Sequence, residues 1–229
     1  MNKTLIMCQP FFDKSQFIEF AKRMIKSKDK VFIINYANEP VMLKKRFNRI
    51  GNKAINEKYY QELREKLSLF GVQPQNIIYS DDEDKRTDFL YKYEHCDVLI
   101  LCGGAPESLL DKFEELNICE IIKTTKKPII CYSAGAEVLL DFLTLYPSAF
   151  WENAGDYYKH FSTRKAIGRV ANLSITFHYE RKKSEWVTEA CDFIKKDIYA
   201  ITDEQGLFIN GDHYEWIGSP QKFEYKQGE

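Results

Sequence analysis

The stretch Pro128-Ile-Ile-Cys-Tyr-Ser-Ala-Gly-Ala-Glu-Val-Leu-Leu140 constrains this chain more than any other. A short apolar run stops at Ser133, and a turn of small residues then opens directly into a helical pattern. That is the sequence form of a nucleophile elbow, where a strained strand-to-helix turn lifts one hydroxyl clear of a sheet. The residues two before and two after the hydroxyl must approach closely, and here they are Cys131 and Gly135. Cys131 is itself a rival nucleophile, but it belongs to the strand and has bulky Ile129 two positions before it. Sterics therefore favour Ser133, with a helix expected over Ala134 to Leu143.

Around this elbow, strands and helices alternate. Leu5 to Cys8, Val31 to Ile34, Ile77 to Tyr79, Asp97 to Cys102 and Pro128 to Cys131 read as strands. Helical spacing covers Ser15 to Ile25, Tyr59 to Phe70 and Pro106 to Thr124, while residues 38–52 read as a loop or short helix. Strands that are almost continuously apolar imply a parallel sheet covered on both faces. The last third changes style, with short strands at Leu173 to Phe177, Ile198 to Thr202, Leu207 to Ile209, Tyr214 to Ile217 and Lys222 to Tyr225, and one helix from Ser184 to Lys195. The fold class expected is α/β, a three-layer sandwich with a mostly parallel central sheet and a strand-rich C-terminal part attached to the same sheet. A single domain over residues 1–229 fits the length.

Composition removes several classes of function. Lys and Arg (33) nearly balance Asp and Glu (34), so no global field favours nucleic acid or an anionic membrane. The six cysteines show neither CxxC pairs nor zinc-finger spacing, and several lie inside apolar runs where thiols behave as small hydrophobes. No segment reads as a signal peptide, and none approaches the roughly 20 apolar residues of a membrane span. A cytoplasmic enzyme needing neither metal nor cofactor is expected, as a monomer or a homodimer.

A serine hydroxyl is a poor nucleophile near neutral pH and needs a base. Of the four histidines, His95 ends a helix, His160 lies in a polar aromatic loop, and His213 follows a hairpin turn at Asn210-Gly211. His178 differs, because it immediately follows the strand Leu173 to Phe177, and α/β sheets put their chemistry at strand carboxyl ends. Asp203 or Glu204, after another short strand, could orient the imidazole. Gly103-Gly104 follows the strongest strand and precedes a helix, so its backbone amides can approach a substrate closely. One of them, with the amide of Ala134, could form an oxyanion hole. Dinucleotide and P-loop glycine spacings are absent.

In this order the pieces resemble the dipeptidase E and cyanophycinase family of serine peptidases, which use a fold like that of class I glutamine amidotransferases. The resemblance covers nearly the whole chain and runs through Leu99 to Gly104, the elbow Ser133 to Ala136, His178-Tyr179 and Asp203-Glu204. It implies Ser133 as nucleophile, His178 as base, Glu204 as third member, and hydrolysis of short peptides, including Asp-containing dipeptides or isopeptides, through an acyl-enzyme. The chain departs from the family at Cys131, where glycine is usual, and at Ala105-Pro106-Glu107, where a polar substrate contact usually follows the glycines. Glu107 and Arg181 are the candidate substrate contacts, with Arg164 and Arg169 as further cations for an acidic substrate. An amidase on the same scaffold and a catalytically degenerate binding module are the alternatives.

Overall fold

The computed structural model describes residues 2–37, 52–147 and 160–226, with the side chains of 52–56 left aside. The loop or short helix expected over 38–52 lies outside these residues, except for Asn52. Five strands form the parallel part of the main sheet: β1 (Lys3–Met7), β2 (Val31–Ile34), β3 (Ile77–Tyr79), β4 (Val98–Leu101) and β5 (Ile129–Tyr132). Their spatial order is β1-β5-β4-β2-β3, and two antiparallel strands, β10 (Gly206–Asn210) and β11 (His213–Ile217), extend the sheet beyond β1. The fold is thus α/β with a seven-stranded, mostly parallel central sheet.

Side chains on a strand alternate between faces, so each apolar strand feeds two cores. Leu99, Leu101, Ile129 and Cys131 lie in one core with Phe89, Phe113 and Ile122. Those three come from helices α3 (Arg86–Glu94), α4 (Pro106–Glu115) and α5 (Cys119–Thr124). On the opposite face Leu5, Met7, Ile33, Ile100 and Ile130 share a core with Phe17 and Leu63. These come from α1 (Ser15–Lys22) and α2 (Asn52–Ser68).

Three expectations are corrected by local backbone bonding. The helix expected from Pro106 to Thr124 is two, because the chain turns at Asn117, whose φ of 50° suits an asparagine better than most residues. The helix after Ser133, α6 (Ala134–Glu137), has only four residues. The carbonyls of Val138, Leu139 and Leu140 accept hydrogen bonds from Ile167, Val170 and Gly168 respectively, which draws them out of a helical ladder. The chain then enters β6 (Phe142–Leu145), paired antiparallel with β7 (Ser162–Lys165).

The third correction concerns the C-terminal strands, of which only β10 and β11 join the main sheet. β8 (Ile175–Thr176), β9 (Ile198–Ala200) and β12 (Gln221–Phe223) form a separate sheet in the order β12-β9-β8. Helix α7 (Ser184–Ile194) covers it through Val187, Ala190 and Cys191, packed with Ile198 and Ala200. β8 and β9 run parallel, so both deliver the residues after them to the same end.

Candidate active site

The main-sheet register sets the site. Met7 of β1 pairs with Tyr132 of β5, and Leu101 of β4 pairs with Cys131. Continued past the strands, these registers bring Cys8 and Gly103 level with Ser133 at the carboxyl edge. Ser133 adopts φ 49° and ψ −124°, left-handed backbone that a non-glycine residue takes only under constraint. The constraint is visible: its N–H donates to Met7 O at 3.0 Å, and its carbonyl accepts from Ala136 and Glu137 at 2.8 and 2.9 Å.

The small residues around the elbow have identifiable neighbours. A Cβ on Gly135 would lie 2.3 Å from Leu101 O and 2.8 Å from Cys102 O, so the nearest crowding comes from β4 rather than from Cys131. A Cβ on Gly103 would lie 3.2 Å from the Ser133 Cβ, which places this glycine directly beside the hydroxyl. Gly104 has φ 135°, and a Cβ there would fall 2.1 Å from Ala37 O. Ala37 O also accepts the Ala105 N–H at 3.0 Å, fixing the turn into α4.

His178 comes from the small sheet. Its Nε2 lies 3.0 Å from Ser133 Oγ, and its Nδ1 lies 2.7 Å from Asp203 Oδ1. With a carboxylate accepting from Nδ1, Nε2 is left to accept the serine proton. The parallel β8–β9 ladder brings the two residues together, continued past the strands by Ile201 N–H to Thr176 O and Tyr179 N–H to Ile201 O. The expected Glu204 is not the acid placed against the imidazole. Asp203 holds that position, and Glu204, one residue later, is exposed.

Neighbouring groups divide into those that belong to this edge and those that do not. Cys131 is fully buried, its Sγ is directed to Leu5 O at 3.4 Å, and burial pushes its thiol far above the ordinary range. Its burial within β5 does not suit a nucleophile. Arg164 is engaged by Asp111 at 2.6 Å and Glu114 at 2.7 Å. Arg169 donates to the carbonyls of Ile122, Lys123 and Thr125 and to Thr4 Oγ1, groups at the amino edge of the sheet, opposite Ser133. Neither is positioned to meet a substrate carboxylate. Arg181 is exposed, whereas Lys183 is buried and runs back to His178, its Nζ 3.5 Å from that carbonyl.

Two carboxyls belong to the helices that follow Gly103-Gly104 and Ser133. Glu107 is in the first turn of α4, and Glu137 ends α6, which packs against α4. Burial, reinforced by the Glu107 charge, pushes Glu137 up to about 7. Burial also raises Glu107, with Arg164 opposing and Asp111 adding to the shift. Glu137 was not singled out from the sequence, although it stands four residues after Ser133, one helical turn on.

Cys8 was also passed over. Its Sγ accepts the His178 N–H at 3.3 Å and is directed to Ile201 O at 3.4 Å. Cys8, His178 and Asp203 have potential ligand atoms within 4.8 Å of one another. The thiol is pushed well up by burial, and Nδ1 and Oδ1 are already at hydrogen-bonding distance, which suits proton transfer better than metal ligation. The other histidines sit apart: His95 Nδ1 meets Tyr91 O at 2.7 Å on an exposed helix end, and His160 and His213 are exposed.

Comparison with solved structures gives the same fold. The chain superposes on a candidate peptidase E protein from Listeria monocytogenes EGD-e with a TM-score of 0.66 at 17% identity, covering 94% of this chain and 98% of that one. A peptidase from an acI-B1 Actinobacterium gives a TM-score of 0.65 at 16% identity, covering 99% and 96%. The fold is that of these peptidase-named structures. No protein-family model matches the sequence, and no curated protein matches it. No helix among the described residues is long and apolar enough to cross a membrane.

Proposed function

We propose that this protein is a serine peptidase that hydrolyses short peptides through an acyl-enzyme. The observation that carries the reading is the continuous hydrogen-bonded chain from Ser133 Oγ through both nitrogens of His178 to Asp203. In this mechanism Nε2 of His178 removes the Ser133 proton as Oγ attacks the scissile carbonyl, and Asp203 stabilises the imidazolium that forms. The proton then passes to the leaving amine, and water repeats the sequence to release the acyl group. The amides of Ala134 and of Gly103 or Gly104 receive the oxyanion, an arrangement supported by the closeness of Gly103 to Ser133, where even a Cβ would lie 3.2 Å from the serine Cβ. One such donor is worth about 10²–10³ in rate.

The substrate side favours neutral over acidic residues at the scissile bond. Two of the three arginines that could have met a carboxylate are held elsewhere by carboxylates or carbonyls. The carboxyls of Glu137, in the helix that Ser133 opens, and of Glu107, in the helix packed against it, would repel a third negative charge once ionised. The test is a panel of Asp-Xaa, Glu-Xaa and neutral dipeptides, followed by release of the N-terminal residue, with a fluorophosphonate probe reporting phosphonylation of the nucleophile by mass. Neutral turnover and a single adduct, both lost in Ser133→Ala, are expected. An adduct surviving that substitution would refute Ser133 as nucleophile.

A further inference from the structure

The site's geometry contains a device that the hydrolytic chain does not itself use. Asp203 is only part-buried, its side chain 46% exposed, so its direction is not set by packing. Its second oxygen, Oδ2, receives a hydrogen bond at 3.3 Å from Nε2 of Gln9. Gln9 directly follows Cys8, whose Sγ accepts the backbone N–H of His178. That N–H belongs to a residue with φ 55°, a left-handed conformation that costs a histidine energy unless neighbours fix it. The same Sγ is directed to Ile201 O, tying the edge of β1 to the ladder that aligns His178 and Asp203.

Gln9 is itself fixed. Pro10 confines the preceding residue to extended backbone, and the Phe11 N–H closes a tight turn on Gln9 O at 2.7 Å. A carboxylate can only accept, so the amide must turn its NH₂ toward Asp203. We propose that the Cys8-Gln9 dipeptide at the end of β1 is the positioning element of the active site. Cys8 holds the backbone of His178, and Gln9 holds the free oxygen of Asp203, so that Oδ1 stays directed at Nδ1. Both residues act through others, and neither touches the reacting atoms. This inference rests on the Ser133–His178–Asp203 reading, but its consequence for the imidazole is measurable without turnover.

The consequence follows from the hydrogen bond itself. Without a donor at Oδ2, Asp203 is released to rotate and Oδ1 leaves Nδ1, so the downfield proton of that bond moves upfield. Gln9→Met, similar in length but without a donor, removes the hold, and Gln9→Lys, which carries a donor, keeps it. The experiment follows the Nδ1–H proton of His178 by NMR on the full chain, with fluorophosphonate phosphonylation of Ser133 measured in parallel.

The Nδ1–H resonance is expected to move upfield or broaden away in Gln9→Met and to stay near its wild-type position in Gln9→Lys. Phosphonylation is expected to fall about tenfold in Gln9→Met and to be largely restored in Gln9→Lys, as fits loss and recovery of one charge-assisted hydrogen bond. A merely structural role for Gln9 would not make the resonance follow the donor. A resonance unchanged in Gln9→Met, or lost in both folded variants, would overturn the proposal. The expected pattern without phosphonylation of the wild-type protein would uphold the positioning element and count against the peptidase reading.

Discussion

Replacing Glu137 with Gln should make the protein more stable at alkaline pH while leaving its stability in acid almost unchanged. Burial raises this carboxyl from 4.5 to about 7, so the folded state holds its proton more tightly than the unfolded chain. A raised carboxyl stabilises the fold fully below the unfolded value, and that contribution is lost as pH rises through the folded one. At 1.36 kcal/mol per unit the shift sets a ceiling of about 3 kcal/mol. Glu137 keeps some exposure, and solvent screening brings the expectation to about 1–2 kcal/mol. Glutamine is close in shape to the protonated acid, so the difference between variant and wild type should be near zero at pH 4.5 and reach its full value above pH 7. Urea unfolding at intervals from pH 4.5 to 8.5 measures it, and taking differences removes groups that titrate alike in both proteins. Glu107 is the main group that does not cancel, since its own titration is coupled to Glu137, and a Glu107→Gln background isolates that part. A difference that stays constant with pH, or that grows toward acid, would refute the buried acid pair.

Three further outcomes are expected. Asp203→Asn should lower acylation by about 10³–10⁴ by favouring the wrong imidazole tautomer, whereas Glu204→Gln should stay within a few fold of wild type, and equal losses from both would contradict the assignment. Gly135→Ala should destabilise the protein by about 1–3 kcal/mol in thermal or urea unfolding, because its Cβ would enter the Leu101 carbonyl. Arg169→Leu should cost about 2–4 kcal/mol without changing substrate preference, since it strips a cation from three carbonyls at the end of α5; a changed preference would place this residue at the cleft after all.

The parts of the site that could be read from sequence were those written in local steric rules. Ser133 is recognisable because a sharp turn between strand and helix demands small residues, and His178 because it directly follows an apolar run. The contacts that make them a unit are long-range: Ser133 and His178 are 45 positions apart, and Gln9 and Asp203 are 194 apart. No periodicity reports such pairings. The parallel sheet was legible because buried strands lack alternation, but the detachment of β8, β9 and β12 was not. A short apolar run does not record which sheet it joins.

The choice between Asp203 and Glu204 shows where local pattern stops and geometry takes over. Both are acids in the same turn after β9, and sequence offers no reason to prefer one. The two are the central residues of a turn that Gln205 N–H closes on Thr202 O at 3.1 Å, so their side chains leave it in different directions. The Tyr199–Ile175 register and the Tyr179–Ile201 bond fix where that turn begins relative to His178, and Asp203 lies against the imidazole while Glu204 is exposed. Oδ2 of Asp203 is then within reach of Gln9. Which acid meets the imidazole is therefore set by the placement of a turn past a parallel ladder, and the amide at the end of β1 keeps it in place.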